Sequence, residues 1–311
     1  MNFRISSTSL ARAALSSLDT AQDRIGRAQE QVATGRRINR PSDAPLDAAQ
    51  ASRLHTYTNQ LRQYQRNLDE AQARLEFASS SIQEVSDIFI EARQIALRAA
   101  DSATDASERR TLATAVNQLL EGLIQRANTS WGGRYIFAGT ADDTTPFEGR
   151  IGQSGYIDSV LYHGNDGRVE LQVGPRMRVQ VNEPGTEIFT ATATQPSLFE
   201  VLIELRDLLM NEDGLSESDQ CRALSAHVGA LKEAHERVVD AASRLGWRAR
   251  QVEYTRTTVE DLGLTATERL SALEDTDYAY AALEITAQRV ALEAALAVSA
   301  RLMKNNLLEY L

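Results

Sequence analysis

A chain of 311 residues is long enough for two or three domains and a sizeable core. Only 6% of it is aromatic, while Ala and Leu are common, which suits long helices packed through narrow seams better than a broad globular core. The net charge of −10 argues against a general nucleic-acid binder.

Near the N-terminus, Ala11, Ala14, Leu18, Ala21, Ile25, Ala28 and Val32 recur at alternating steps of three and four. Such a stripe is the seam of a coiled coil. The C-terminal stretch is Ala-rich and carries Leu292, Leu296, Met303 and Leu307. Both ends therefore predict helices that need a partner helix, which points to assembly and away from catalysis. The ends also differ in charge. Residues 1–40 hold seven Arg against Asp19, Asp23 and Glu30, a local balance of +4. Residues 260–311 hold nine acids against Arg269, Arg289, Arg301 and Lys304, a balance of −5. Two readings stand side by side: the ends attract one another or their copies in neighbouring subunits, or both are solvated helix faces whose pairs are worth little.

The first helical stripe ends near Gly35. Pro41 disfavours helix at Arg40, Ser42 or Asp43 is placed to cap the next helix, and Pro45 falls in its first turn. The seam that follows is Leu54, Tyr57, Leu61, Tyr64, Leu68, Ala71, Leu75, Ala78, Ile82, Val85, Phe89, Ala92, Ala96 and Ala99. This reads as the longest helix of the chain, a strut of roughly 70 Å at 1.5 Å per residue. Asp105 and Glu108 form a capping-box pattern, and a helix runs on to Thr129 with Leu112, Val116, Leu119, Leu123 and Ala127 on one face.

At Trp131 glycines crowd in and a period of two replaces the helical one: Val169, Leu171, Val173, then Met177, Val179, Val181. Asn165-Asp166-Gly167 reads as a turn between Val160-Leu161-Tyr162 and the first of these strands, and Asn182-Glu183-Pro184-Gly185 as another. Helices resume at Ser197 with Glu200 as its capping-box partner and Leu198, Val201, Leu202, Leu205 and Leu209 on one face. A second rod follows, with the seam Leu224, Val228, Leu231, His235, Val238, Ala242, Leu245, Ala249, Val252, Arg256, Val259, Gly263, Ala266, Leu270 and Leu273. Asp275-Thr276-Asp277 breaks it before a last helix with Leu283, Ala287, Val290 and Ala294, beside Ile285, Leu292, Leu296 and Met303.

The order is nearly palindromic. It predicts a mainly α fold of long antiparallel helical rods, with terminal coiled-coil helices and a small β-rich inserted domain at the tip. The expected parts are an N-terminal assembly helix (1–42) that pairs with the C-terminal one, the first half of the rod (43–131), the insertion (132–196), the second half of the rod (197–274) and the C-terminal assembly helix (275–311).

Signatures of chemistry are thin. His55, His163, His227 and His235 show no two-ligand metal spacing, and neither a P-loop nor a GxSxG motif is present. We expect no catalytic residue, no metal and no cofactor. His235 falls on a seam and reads as an interior imidazole, and Cys221 reads as a small buried hydrophobe. Asn128-Thr129-Ser130 fits a glycosylation sequon of a kind that occurs often by chance. There is no signal-peptide pattern and no run of about 18 apolar residues. Taken alone, that says cytoplasmic, or exported without a cleaved signal.

The stretch Ala33-Thr34-Gly35-Arg36-Arg37-Ile38-Asn39-Arg40-Pro41-Ser42-Asp43-Ala44-Pro45 resembles the N-terminal element of the flagellin superfamily, in particular Gly35, Arg36, Pro41, Ser42, Asp43 and Pro45. The Pro-Ser-Asp-x-Pro variant is similar to its hook-associated branch rather than to filament flagellin. Gly133-Arg134-Tyr135-Ile136-Phe137-Ala138-Gly139-Thr140 resembles that branch's entry into a β domain, through Gly133, Tyr135, Phe137 and Gly139. Gly185-Thr186-Glu187-Ile188-Phe189 and the terminal Leu307-Leu308-Glu309-Tyr310-Leu311 fit it too. The resemblance implies an extracellular structural adaptor between flagellar hook and filament, exported through the flagellar type III apparatus. It implies FlgK, flagellin and copies of itself as partners, with the chaperone FlgN before export, and neither nucleic acid nor membrane insertion. The alternatives are a minor filament flagellin, a coiled-coil scaffold and, more distantly, a hydrolase using His163 and Asp166.

Overall fold

The computed structural model describes residues 7–153, 155–192 and 195–308. The chain divides into two compact units, one within Met1–Arg62 and Asp261–Leu311, the other Gln63–Glu260. Two long helices contribute to both: α2 (Pro45–Ala99) and α6 (Glu217–Glu274). The second is the longer, 58 residues against 55, so the expectation that the first rod is the longest is corrected.

In the first unit α1 (Ser7–Thr34) packs along α7 (Tyr278–Leu308). Gly35 ends α1 in the left-handed region at φ +72°, its N–H bonded to Gln31 O at 2.9 Å. That backbone conformation strains any residue with a Cβ; the Tyr278 hydroxyl, 2.7 Å from where a Cβ would stand, is the end of an exposed side chain that can swing aside. Here α2 and α6 run antiparallel, with His55 Nε2 2.8 Å from Glu274 Oε1.

In the second unit the same two helices stay antiparallel: Asp69 lies 3.9 Å from Arg256, and Ser86 Oγ 2.9 Å from His235 Nε2. Within this unit the predicted seam of α2 is buried throughout from Leu68 to Ala99. That of α6 is partly out of register. His227, Ala234, Ala241 and Thr255 are buried where Val228, His235, Ala242 and Arg256 were expected. Each lies one residue earlier, since steps of three then four and of four then three meet equally plausible residues here. Ala241 and Ala242 are identical side chains, so only the register against the opposing helix distinguishes them. Arg256 stays at the rim, where it reaches Asp69, Glu253 and Glu260, and Thr255 satisfies its hydroxyl on Gln251 O at 2.8 Å.

α3 (Ala106–Ala127) buries Arg109, Ala113, Val116, Leu120, Leu123 and Ala127, so Leu112 and Leu119 lie off the face predicted for them. Its cap Asp105 accepts from Glu108 N at 2.7 Å, but Glu108 turns its carboxylate to Arg98 instead of completing the box. α5 (Leu198–Met210) packs against α3 and carries the full capping box of Ser197 and Glu200. Its five predicted apolar residues are all buried.

Three two-stranded antiparallel sheets make up the insertion: β1 (Ser130–Trp131) with β2 (Arg134–Tyr135), β3 (Phe147–Ile151) with β4 (Ile157–Tyr162), and β5 (Glu170–Gln172) with β6 (Arg178–Gln180). The short α4 (Gly185–Ile188) follows them. None is large enough to stand alone. They are held by a cluster of four of the chain's seven Phe. Phe147 lies 5.2 Å from both Phe189 and Phe199 and 4.9 Å from Tyr162, while Phe137 meets Phe189 edge-on at 5.2 Å. Scarce aromatics are thus concentrated where the seams give way to a small core.

Candidate assembly surface

Between α1 and α7 the side chains that face inward are small or aliphatic. On α1, Ala28 is buried and Leu18, Ala21 and Ile25 half-buried; on α7, Ala281 is buried and Ile285, Leu292 and Ala295 half-buried. Val32 and Leu296 are exposed, Leu296 by 51%. The side chains of Ala14, Met303 and Leu307 lie outside the described residues.

A helix with 3.6 residues per turn presents Leu283, Ala287, Val290 and Ala294 on the side opposite this seam. There Leu283 is 71% and Val290 62% exposed, and Ala287 and Ala294 are exposed with them. The helix is therefore apolar on both sides and satisfied on one. Contiguous exposed apolar surface of this kind commonly marks an interaction site. The excess extends beyond α7. Among the described residues, eleven large apolar side chains are left exposed in the first unit, from Leu15 and Leu46 to Val298, against seven in the longer second unit.

The predicted motif around residue 40 joins the elements of this unit. The backbones of Arg36 and Asp275 pair as an isolated antiparallel β-bridge, in which Arg37 N donates to Glu274 O at 2.6 Å and Thr276 N donates to Gly35 O at 3.0 Å. The Arg37 guanidinium donates to Leu273 O and to Asp47 Oδ2, each at 2.8 Å. A cation thereby meets the negative end of α6. Ser42 and Asp43 do not cap α2. Asp43 Oδ2 instead accepts from the backbone N–H of Asn39 and Arg40 at 3.2 and 2.8 Å, closing the turn that holds Pro41, and Pro45 opens α2 at its first residue. Asp277 is the capping acid, accepting from Ala279 N and Tyr280 N at the start of α7.

The second motif is architectural. Gly133 sits in the β1–β2 turn, the Tyr135 hydroxyl is 3.0 Å from Thr145 Oγ1, and Phe137 is fully buried. Gly139 has φ +73°, and a Cβ on it would lie 2.0 Å from Asn165 O. Asn165-Asp166-Gly167 connects β4 to β5, where the sequence placed a turn, but those strands do not pair with each other: β4 pairs with β3 and β5 with β6. Asn165 Oδ1 accepts from Thr140 N and Gly167 N, both at 2.9 Å.

The predicted turn at Asn182-Glu183-Pro184-Gly185 is buried. Glu183 has no exposed side-chain surface and receives Arg244 at 2.7 Å and Arg248 on its other oxygen. Arg248 also donates to Asn182 O at 3.1 Å, and Arg237 donates to Thr190 O and Pro196 O. Sequence reasoning missed this clamp, since a charged residue before Pro-Gly reads as surface. The signal was Arg237, Arg244 and Arg248 at steps of seven and four on one helix.

Nearby, Tyr162 donates to Phe137 O and Asn165 O at 3.0 and 3.1 Å. Burial, then the charge of Asp166, push its pKa up to about 12. An unfolded tyrosine ionises near pH 10, so this raised pKa contributes stability that is complete below about pH 10 and lost as pH rises through about 12. We expect the insertion to loosen in that alkaline window and Tyr162→Phe to remove this part of the pH dependence. Tyrosinate absorbance and circular dichroism recorded together check it.

The remaining candidates make the following contacts. His163 meets exposed Glu148 at 3.0 Å, and Asp166 accepts from Thr186. His227 lies 2.8 Å from Val201 O, and half-buried Cys221 accepts from Arg109 at 3.2 Å. The Asn128 amide makes both its bonds to the Phe147 backbone, at 2.7 and 2.9 Å. Among the described residues no His, Cys, Asp and Glu group is arranged for a metal ion, and no helix is long and apolar enough to cross a membrane.

Residues 5–142 match the family model of the bacterial flagellin N-terminal helical region, and residues 228–311 that of the C-terminal helical region. The chain is 26% identical over 280 residues to flagellar hook-associated protein 3 of Escherichia coli K12, covering 85% of this chain and 86% of that one. It is 24% identical over 306 residues to the protein of the same name from Salmonella typhimurium LT2, covering 94% of each. The crystal structure of the flagellar junction protein FlgL from Legionella pneumophila shares the fold, with a TM-score of 0.61 and 15% identity over 72% of this chain and 99% of that one.

Proposed function

The chain belongs to the flagellin superfamily, in its hook-associated protein 3 branch, and from that premise we propose that it is the structural adaptor seating the filament on the hook zone. The observation that carries the reading is α7, apolar on two sides and covered on one. The free stripe of Leu283, Ala287, Val290 and Ala294 is the surface through which the unit built from both chain ends enters the flagellum. The contacts are head to tail, as a helical lattice requires. FlgK stands on one side of this adaptor and flagellin on the other, FlgN guards the C-terminal helix before export, and the type III apparatus delivers the chain. No step in this role is catalytic.

Within this reading, residues 1–42 and 275–311 are the assembly segments, and the interface includes Ala14, Leu18, Ala21, Ile25, Ala28, Val32, Leu292, Leu296, Met303 and Leu307. The exposure of Leu296 makes a clean test. Leu296→Asp should leave a soluble helical monomer, since exposed substitutions usually change stability by within about 0.5 kcal/mol, yet block assembly. Circular dichroism of the purified variant reads the first effect. Immunogold electron microscopy of flagella reads the second: wild type should label one band between hook and filament, and the variant none. Label along the whole filament would identify a filament subunit instead.

A further inference from the structure

Two patches of the first unit complement each other in charge and polarity, and because they share α6 one copy cannot bring them together. The first is a shallow groove of about 450 Å³ lined by Gln50, Arg53 and Leu54 of α2 and Arg269, Ala272 and Leu273 of α6. Its floor is apolar. Arg53 and Arg269 are exposed and make no ion pair or hydrogen bond among the described residues. The second patch lies on α6 itself. Leu264 is 63% exposed, and the exposed carboxylates of Asp261 and Glu268 flank it, likewise without a partner among the described residues. At 3.6 residues per turn, Asp261, Leu264 and Glu268 share one face of the helix, about a third of a turn from Arg269 and Leu273.

We propose that Asp261, Leu264 and Glu268 of one copy dock into the groove bounded by Arg53 and Arg269 of the next. The leucine meets Leu54 and Leu273, and the two carboxylates meet the two guanidiniums, a pairing whose planar donors suit carboxylates. The occupant is a second copy because it supplies both halves of this complement, two acids around a leucine for two arginines around an apolar floor. The patches are different surfaces of one subunit, so the contact is heterologous and each copy offers a free groove to the next. This proposal rests on the adaptor reading and names the subunit contact that reading requires.

The test uses the full chain in cells lacking the wild-type gene. In a Cys221→Ser background, Gln50→Cys and Leu264→Cys are combined, and isolated flagella are oxidised. We expect a disulfide ladder of dimers and higher species that neither single cysteine variant gives, while a bond within one chain would add no band above the monomer. In parallel, Arg53→Glu with Arg269→Glu should lower the fraction of cells bearing filaments at least tenfold, and adding Asp261→Arg with Glu268→Arg should restore it. Rescue by the swap separates a lost contact from a lost fold. A chain incorporated into flagella that forms no ladder, with filaments unaffected by the charge reversals, overturns the contact and leaves the adaptor role standing. Absence of the unmodified chain from isolated flagella overturns both.

Discussion

Cells whose only copy of the chain carries Leu283→Asp with Val290→Asp are expected to make hooks, shed flagellin into the medium and swim no better than cells lacking the gene. Both side chains stand mostly in solvent in the isolated chain, at 71% and 62%, so a carboxylate there remains hydrated and the α1–α7 seam on the other side is untouched. In an assembled flagellum the same carboxylates would face apolar surface. Burying a polar group without a partner costs roughly 1–3 kcal/mol by mutational measure, and a charge more. Two of them exceed the ~1.4 kcal/mol that separates each tenfold step in association. The purified double variant should keep the helical content and thermal midpoint of the wild type. If it is unfolded, the stripe is part of the monomer's core and the account of α7 is wrong. If it is folded and the cells swim normally, the stripe is not an assembly surface.

The second large effect is expected inside the other unit. Glu183→Ala should destabilise Gln63–Glu260 by about 3–5 kcal/mol, the usual result of removing one member of a buried ion pair. The lower end is the better expectation, because Arg244 is partly exposed and can return to water, whereas Arg248 remains mostly covered. Glu183→Gln keeps a hydrogen-bonding oxygen and should cost less than the alanine variant. Both tryptophans, Trp131 and Trp247, lie in this unit, so selectively excited tryptophan fluorescence of the full chain in urea reports on it. Equal unfolding midpoints for wild type and Glu183→Ala would show that the clamp adds nothing to stability.

Much of the helical architecture was legible because it rests on period. The α2 seam and the α5 capping box follow from local rules that tertiary context had no reason to override. The α6 seam shows where period fails. With Ala, Val, His and Thr at neighbouring steps, two registers satisfy the pattern, and only the opposing helix chooses. The insertion was legible as β structure, from alternation and glycines, but not in its pairing. Asn165-Asp166-Gly167 has the composition of a hairpin turn, yet Asn165 spends its side chain on Thr140 and Gly167, and Gly139 gives it room. Asp43 illustrates the same limit: a short acid can bond forward to a helix or backward to its own turn, and sequence does not say which.

The proposed assembly surface was half legible. Leu283, Ala287, Val290 and Ala294 could be read as a stripe, but not as the one facing away from α1, because α7 carries two. The family motifs were plain in sequence, while their physical work was not. Gly35 is favoured by its backbone conformation, Arg37 is held by the carbonyl end of α6, and Gly139 leaves room for Asn165 O. The last two depend on a contact with a segment distant in sequence.

The most direct test of the adaptor role is to delete the gene and measure where flagellin goes. Cells and medium are separated, and flagellin is quantified in each while hooks are imaged. The role predicts intact hooks without filaments and flagellin released as monomer, because export continues and the filament has no seat. Filaments of normal or merely reduced length in the deletion strain would contradict it.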